Sequence, residues 1–313
     1  MKKAVTVVVP LLDEAGSLPA LLSALRKLAE EEDGYAWDFL FVDDGSADSG
    51  PAWLRGEMAS DSRVSLVELS RNFGKESAML AGLDFSSGDA VVVMDSDMQH
   101  PPGLISVMLR HWEQGYDDVY AKRNGREGDP WLRRVMTGLF YKLLRSSSRF
   151  EVLEDAGDFR LLDRAAVDAL RQMRETERYT KGLFAWIGFR KKEVLYDVAD
   201  RAAGESKWTY ARLVGLAVDG LTSFSTAPLR FASVVGVAVS LLSVLYMLWT
   251  VAKTLVWGDP VAGYPTLVSV VLLTSGIQLF ALGIIGEYVG RIYKETKRRP
   301  PYVVRRCGNV KPK

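Results

Sequence analysis

Val91-Val92-Val93-Met94-Asp95-Ser96-Asp97-Met98-Gln99 is a short apolar run that ends in two carboxylates one residue apart and a carboxamide two further on. Four apolar residues, mostly β-branched, read as a buried strand of a parallel sheet. Near the end of such a strand, side chains at i, i+2 and i+4 project the same way. Asp95, Asp97 and Gln99 are therefore expected to present three oxygens to one hard cation such as Mg²⁺ or Mn²⁺. Pro101-Pro102 stops the strand and starts a helix. The acidic exit then sits at the strand's C-terminal mouth, where open α/β sheets bind ligands. Taken alone, Asp-x-Asp is equally a common surface turn.

Working outward, Ala4 to Val9 is a β-branched run of strand length that ends at Pro10, and Leu18, Leu21, Leu22, Leu25 and Leu28 follow at helical spacing. Asp38 to Val42 is a second strand, closing in Asp43-Asp44-Gly45-Ser46, and Ser49-Gly50-Pro51 starts a helix. Val64 to Leu69 is a third strand and Lys75 to Phe85 a third helix. This alternation predicts an α/β fold with a doubly wound, mostly parallel sheet. Neither Gly-x-Gly-x-x-Gly after the first strand nor Gly-x-x-x-x-Gly-Lys-Ser/Thr is present, so a dinucleotide fold and a P-loop are excluded. Pro10 with Asp13-Glu14, and Asp43-Asp44, fall at C-terminal strand ends on the same rim as Asp95 and Asp97. A carboxylate there accepts hydrogen bonds from a ribose diol or a base N–H. Each acidic turn alone is only a turn; three on one rim point to a nucleotide diphosphate and a metal.

Length and charge narrow the class. At 313 residues the chain has room for a nucleotide-binding fold and something more. A net charge of +1 argues against nucleic acid. One cysteine, Cys307, permits no intrachain disulfide and suits a reducing compartment. Two histidines, His100 and His111, cannot build an ordinary zinc site with it. Phe231 to Ala252 and Tyr264 to Ile285 are uncharged runs of 22 residues each. As helices each is about 33 Å long, enough for the hydrocarbon core of a bilayer. Trp249, Trp257 and Tyr264 suit its interfaces, and the following Arg291, Lys294, Lys297, Arg298, Arg299, Arg305 and Arg306 mark a cytoplasmic tail. A two-span hairpin then puts the N-terminal domain in the cytoplasm too. Met1-Lys2-Lys3 and the short apolar run behind it read as a first strand, not a signal peptide. The expected organisation is a cytoplasmic domain over 1–228, transmembrane helices within 229–290 (about 231–252 and 264–285), and a basic tail over 291–313.

At this point the sequence resembles a family. Pro10 through Glu14, Val42 to Ser46, Arg71-Asn72-Phe73-Gly74-Lys75-Glu76 and Met94 to Gln99 look like family 2 glycosyltransferases with the GT-A fold. Gly157 to Arg164, Arg178-Tyr179-Thr180-Lys181-Gly182, Gly204 to Trp208, Asp219 to Ser225 and Gly286 to Tyr293 continue the match. The ordered set is similar to the polyprenyl-phosphate glycosyltransferases of the dolichol-phosphate-mannose-synthase-like branch, in particular the bactoprenol glucosyltransferase type with two C-terminal spans. No Gln-x-x-Arg-Trp motif is present, which separates the chain from processive polysaccharide synthases.

The resemblance implies a divalent metal, Mg²⁺ or Mn²⁺, on Asp95, Asp97 and Gln99. It implies a nucleotide sugar on Pro10, Glu14, Asp43, Asp44, Lys75 and, from a loop, Lys207. Arg123 with Arg133 or Arg134 would meet the lipid phosphate. Asp158 would act at the site, orienting the acceptor or a basic neighbour or serving as a base; alternatively it is a structural carboxylate paired with Arg160 or Arg164. The implied reaction moves one sugar, glucose first, from a UDP-sugar donor to a polyprenyl phosphate acceptor such as undecaprenyl phosphate, with inversion. Other donors (UDP-N-acetylhexosamine, UDP-aminoarabinose, GDP-mannose) and a non-catalytic scaffold or flippase partner stand as alternatives. The expected location is the inner membrane, multi-pass, with the catalytic domain and both termini cytoplasmic. Trp131 to Leu144, apolar at helical spacing with Arg133, Arg134, Lys142 and Arg145 interleaved, reads as an interfacial helix toward membrane lipids or as a core helix. Small residues such as Gly236, Ser240, Gly276, Gly283 and Gly286 could pack spans within one chain or in a homo-oligomer. Two positions depart from the family pattern: His100 and Gly103 stand where acids are usual.

Overall fold

The computed structural model of the chain describes residues 2–123, 156–176, 178–196, 227–257 and 263–310. These fall into two compact units, one holding the sheet and the segment after Arg298, the other holding two long helices.

The first unit is built on an eight-stranded mixed sheet of order β7-β5-β6-β4-β1-β2-β3-β8. β1 (Ala4–Leu11), β2 (Ala36–Asp43), β3 (Val64–Leu69) and β4 (Ala90–Val93) form its parallel half. Their near-continuous apolar runs fit a sheet covered on both faces, and Val5 to Pro10 are all buried. α1 (Leu18–Glu31) lays Leu18, Leu21, Leu22, Leu25 and Leu28 into the core, the leucine stripe the spacing predicts. α2 (Gly50–Ser60) begins with Pro51 in its first turn. α3 (Lys75–Phe85) is buried without a break from Ala78 to Phe85.

Such burial requires α3 to lie close on the sheet, and Gly82 is the point of approach. A Cβ at Gly82 would run into the Cγ1 methyl of Val8, itself fully buried and stiff at χ1. Gly82→Ala is therefore expected to destabilise the protein by about 1–3 kcal/mol through overpacking, despite the better helix propensity of alanine. A lower midpoint in thermal unfolding checks this; an unchanged or raised midpoint would mean that α3 and β1 can separate freely.

The other half of the sheet reverses direction. α4 (Leu104–Glu113) leads to β5 (Asp118–Arg123), and β6 (Ala156–Asp163) runs antiparallel to both β4 and β5. α5 (Arg164–Gln172) starts on an Asp163 cap, whose carboxylate accepts the Ala165 N–H at 2.9 Å. α6 (Thr180–Trp186) and β7 (Lys191–Tyr196), parallel to β5, complete this side. Beneath it lies a fully buried ion pair, Arg160 Nη1 to Asp118 Oδ2 at 3.0 Å. The Arg160 guanidinium stacks 3.5 Å over the Phe184 ring.

The second unit is a pair of long helices, α7 (Ala227–Trp257) and α8 (Tyr264–Thr296), packed against each other. At 1.5 Å per residue they are about 47 and 50 Å long, well past the expected 231–252 and 264–285. Large apolar side chains such as Leu241, Leu245, Phe280 and Leu282 are exposed along them, the arrangement of a surface that faces lipid or a partner. Among the described residues, Leu273–Thr296 is long and apolar enough to cross a membrane. The chain then returns to the first unit, and β8 (Val304–Gly308) pairs antiparallel with β3. This strand lies within the stretch read from sequence as a basic tail. Its exposed Arg305 and Arg306 are the charges that protect an edge strand.

Candidate active site

Strand register assembles the rim. Leu11 lies beside Asp43, and Val8 beside Val93, so β1, β2 and β4 all release their chains at one edge. β6 enters there because Val93 pairs antiparallel with Arg160; carrying that register two residues further sets Asp95 beside Asp158.

The first two exits are stitched together. Asp13 adopts a left-handed backbone (φ 56°), its N–H donates to Ser46 Oγ at 2.9 Å, and its Oδ1 accepts the Ala47 N–H at 2.7 Å. Asp48 Oδ2 accepts the Ala15 N–H at 2.8 Å. Pro10 is a buried position of β1 just before this exit. Glu14 follows, and its carboxyl is pushed up by burial, opposed by the Ser17 hydroxyl and reinforced by the charges of Asp97, Asp48 and Asp95. Asp43 is nearly fully buried and accepts the Ser46 N–H at 3.0 Å.

Asp44 faces the neighbouring loop. Its two oxygens accept the N–H groups of Phe73 (2.7 Å) and Gly74 (2.9 Å), holding the loop that delivers Lys75. Gly45 completes this contact at φ +83°, where a Cβ would lie 2.7 Å from the Arg71 carbonyl carbon and 2.8 Å from the Asn72 nitrogen. Glycine is demanded there twice, by conformation and by space.

Lys75 opens α3 and closes the site. Its ammonium lies 2.6 Å from Asp95 Oδ1 and 2.7 Å from Asp158 Oδ2. Burial alone would lower its pKa, but the two carboxylates raise it, so it stays charged. Asp158 is correspondingly held below the usual carboxylate range: burial pushes it up, and Lys75 and Lys181 pull it down further. Its Oδ1 is buried without a hydrogen-bond partner among the described residues. The sequence left open a pairing of Asp158 with Arg160 or Arg164; the structure pairs it with Lys75, while Arg160 takes Asp118 and Arg164 lies 3.5 Å from Asp168.

The three residues expected to form a metal triad, Asp95, Asp97 and Gln99, differ from their expected geometry. β4 stops at Val93, so the pleat does not carry through Asp95, Asp97 and Gln99. They lie in a turn where Met98 has φ 60° and the Gln99 N–H donates to Asp97 Oδ1 at 3.1 Å. Met94 N–H still reaches Val8 O at 3.1 Å, the last contact before the chain leaves the sheet. Turn geometry here replaces strand alternation. Among the described residues no three Asp, Glu, His or Cys side chains are gathered as a metal site, yet Asp95, Asp97 and Gln99 offer only oxygens, the donor type a hard divalent cation takes. The orphaned Oδ1 of Asp158 and the charge excess on Glu14 both fit an added positive charge.

His100, the departure from the family pattern, does not replace an acid on the rim. Its ring packs 5.1 Å from Phe159 and 5.8 Å from Tyr196, and burial lowers its pKa. Glu76, to which the sequence assigned no role, accepts hydrogen bonds from the Thr180 N–H (3.1 Å) and hydroxyl, fastening α3 to the start of α6. Lys181 then follows with its charge acting on Asp158. Both belong to motifs quoted from the sequence, and only the fold gives them partners. Arg123 ends β5 opposite Tyr196. Arg133, Arg134, Lys207 and the stretch from Trp131 to Leu144 lie outside the described residues.

Two family models and a set of relatives match this chain. The glycosyl transferase family 2 model matches residues 6–171, and a model described as the GtrB C-terminal hairpin matches residues 227–292. The bactoprenol glucosyl transferase of Shigella phage SfII is 39% identical over 308 residues, covering 98% of this chain and 99% of its own. That of Shigella phage SfV is 40% identical over 301 residues, covering 96% and 98%. Among solved structures, Mycobacterium tuberculosis glucosyl-3-phosphoglycerate synthase in complex with Mn²⁺, UDP and glucosyl-3-phosphoglycerate aligns with a TM-score of 0.44 at 17% identity, covering 71% of this chain and 80% of that one. The mixed, mostly parallel sheet and the family match define a glycosyltransferase of the GT-A fold class. The chain belongs to glycosyl transferase family 2.

Proposed function

We propose that the protein transfers one hexose, glucose by preference, from a UDP-sugar to polyprenyl phosphate at the cytoplasmic face of a membrane, with inversion. The observation that carries this reading is the Lys75 ammonium bridging Asp95 and Asp158 at the mouth of the sheet. The relatives named for bactoprenol glucosyl transfer, alike over nearly their whole length, supply the acceptor and the sugar.

In the reaction an oxygen of the acceptor phosphate attacks the anomeric carbon from the face opposite the leaving group. The bond from that carbon to the donor diphosphate breaks, and UDP departs with the electron pair. Asp95, Asp97 and Gln99 would hold a divalent cation, which as a Lewis acid offsets the charge growing on the diphosphate. Lys75 adds a fixed, desolvated positive charge at the same place. The acceptor needs little activation, since a phosphate monoester has a second pKa of about 6 and is largely dianionic at neutral pH. Asp158, held low by Lys75, is a weak base, and its role is to position Lys75 and the acceptor side of the site. Alignment of two bound reactants can itself contribute roughly 7–11 kcal/mol. Glu14 and Asp43 are the acceptors offered to the ribose and base.

The membrane anchor has a topological support. β8 is hydrogen-bonded to β3, so residues on both sides of the helix pair belong to one folded sheet. A folded sheet lying on one side of a bilayer fits an even number of crossings by α7 and α8, which supports the two-span reading. With two spans, the basic residues after the second favour the cytoplasm for that side.

The test is UDP release by purified protein in lipid, with a panel of UDP-sugars, with and without undecaprenyl phosphate and Mg²⁺ or Mn²⁺. Release with UDP-glucose that needs both lipid and metal is the expected result. Release with no UDP-sugar from folded protein would overturn the reading.

A further inference from the structure

The proposed chemistry uses the first turn of α3 and leaves the other end of the helix unexplained. There Asp84, 7% exposed, gathers three partners from two other parts of the chain. Arg174 donates to it at 2.6 and 2.8 Å, Tyr302 Oη donates at 2.6 Å, and Arg171 Nε lies at 3.4 Å. Tyr302 belongs to the segment that returns after α8. The Ser70 N–H donates to the Val303 carbonyl at 2.8 Å, and Asn309 Nδ2 donates to the Val64 carbonyl at 3.1 Å. The returning segment is thus zipped along β3 and pinned to α3 at one point.

The arginines carry the connection onward. Arg171 and Arg174 flank the start of the loop between α5 and α6, and Arg178 ties the loop to itself through the Met173 and Leu170 carbonyls and the Thr180 hydroxyl. The loop ends at Thr180, held by Glu76. One loop is therefore fastened to α3 twice, at Asp84 and at Glu76, about 12 Å apart along the helix. Lys75 is the residue next to the second fastening. Burial and the Asp84 charge both raise the pKa of the Tyr302 phenol, so it stays a donor.

We propose that Tyr302, acting through Asp84, is a positioning residue for Lys75. Docking of the returning segment sets where α3 lies along its axis, and with it the ammonium that bridges Asp95 and Asp158. This rests on the transferase reading of that site. The consequence is a catalytic lysine whose placement depends on a segment made only after the membrane hairpin.

Tyr302→Phe in the full-length protein removes one oxygen and keeps the ring. Hydrogen–deuterium exchange is expected to rise at the first turn of α3 and at the start of α6, far from the substitution. In the UDP-release assay kcat is expected to fall about tenfold, the effect of a small misplacement of a fixed charge. KM for the lipid should stay unchanged. Asp84→Asn, which keeps an acceptor but drops the charge, should repeat the pattern. Exchange that rises only over 300–309, with kcat unchanged in both variants, would reduce Tyr302 to a local fastening and overturn the proposal. If the wild-type protein releases no UDP, the transferase reading fails, and the exchange at α3 still decides whether Tyr302 positions Lys75.

Discussion

Asp97→Ala is expected to lower kcat by about 10²–10³-fold or more, the scale on which removal of a preorganised charge-stabilising group is felt. Asp97 is part-exposed, sits in a turn beyond the end of β4, and accepts the Gln99 N–H. Its removal should therefore leave stability within about ±0.5 kcal/mol, as surface changes do. The variant should also lose the stimulation by Mg²⁺ or Mn²⁺ that the proposed reaction predicts for the wild-type protein. Parallel measurement of UDP release against metal concentration and of thermal unfolding separates the two effects. A variant that turns over within a few-fold of wild type would remove Asp97 from the metal site; an equal loss of folded protein would make it structural.

Arg160→Met carries the largest expected effect on stability. Arg160 and Asp118 are both fully buried, and the guanidinium also covers the Phe184 face. Burial pushes the Asp118 carboxyl up, and Arg160, ahead of Lys191, is the main charge that pulls it back. Without that partner an uncompensated carboxylate remains in the core, a loss of about 3–5 kcal/mol. The double variant Arg160→Met/Asp118→Leu should recover most of it, since an apolar replacement of a buried pair is often neutral. The sign with pH follows. In the single variant the folded-state pKa of Asp118 rises still further above its unfolded value. Ionising it then opposes folding, so the deficit grows as pH rises above the folded-state pKa that Asp118 has in the wild-type protein, and shrinks as pH falls below it. A deficit that is constant with pH would mean that lost packing on Phe184, and not the stranded charge, explains it.

The parallel half of the sheet was legible because its signals are local. β3 and α3 have the bounds that periodicity predicts, and α1 buries the leucines that its spacing picks out. The antiparallel half was not, since β6 is defined by pairing with β4 and β5 across long stretches of chain. The acidic residues at the strand exits were readable as chemistry, but not which of them face outward. Asp43 and Asp44 look equivalent in sequence, yet Asp44 spends both oxygens on the Phe73 and Gly74 amides. Asp158 had two plausible arginine partners within six residues, and its actual partner, Lys75, is 83 positions away. Arg160, one of those two candidate partners, is committed to the buried pair with Asp118. β8 was hidden for a different reason: Val304-Arg305-Arg306-Cys307-Gly308 carries too few apolar residues to announce a strand, because an edge strand needs to bury little.

The place of β8 also orders the birth of the protein. Its partner β3 leaves the ribosome early, while β8 follows only after both long helices; at about 5–20 residues per second the interval is on the order of tens of seconds. Throughout that time one edge of the sheet stands bare, a template for unwanted pairing. The nascent chain is therefore exposed to aggregation at this edge while its two long helices are being made. A chain stalled at that stage lacks the strand that covers the edge, so completion of the sheet reports that both long helices have been made.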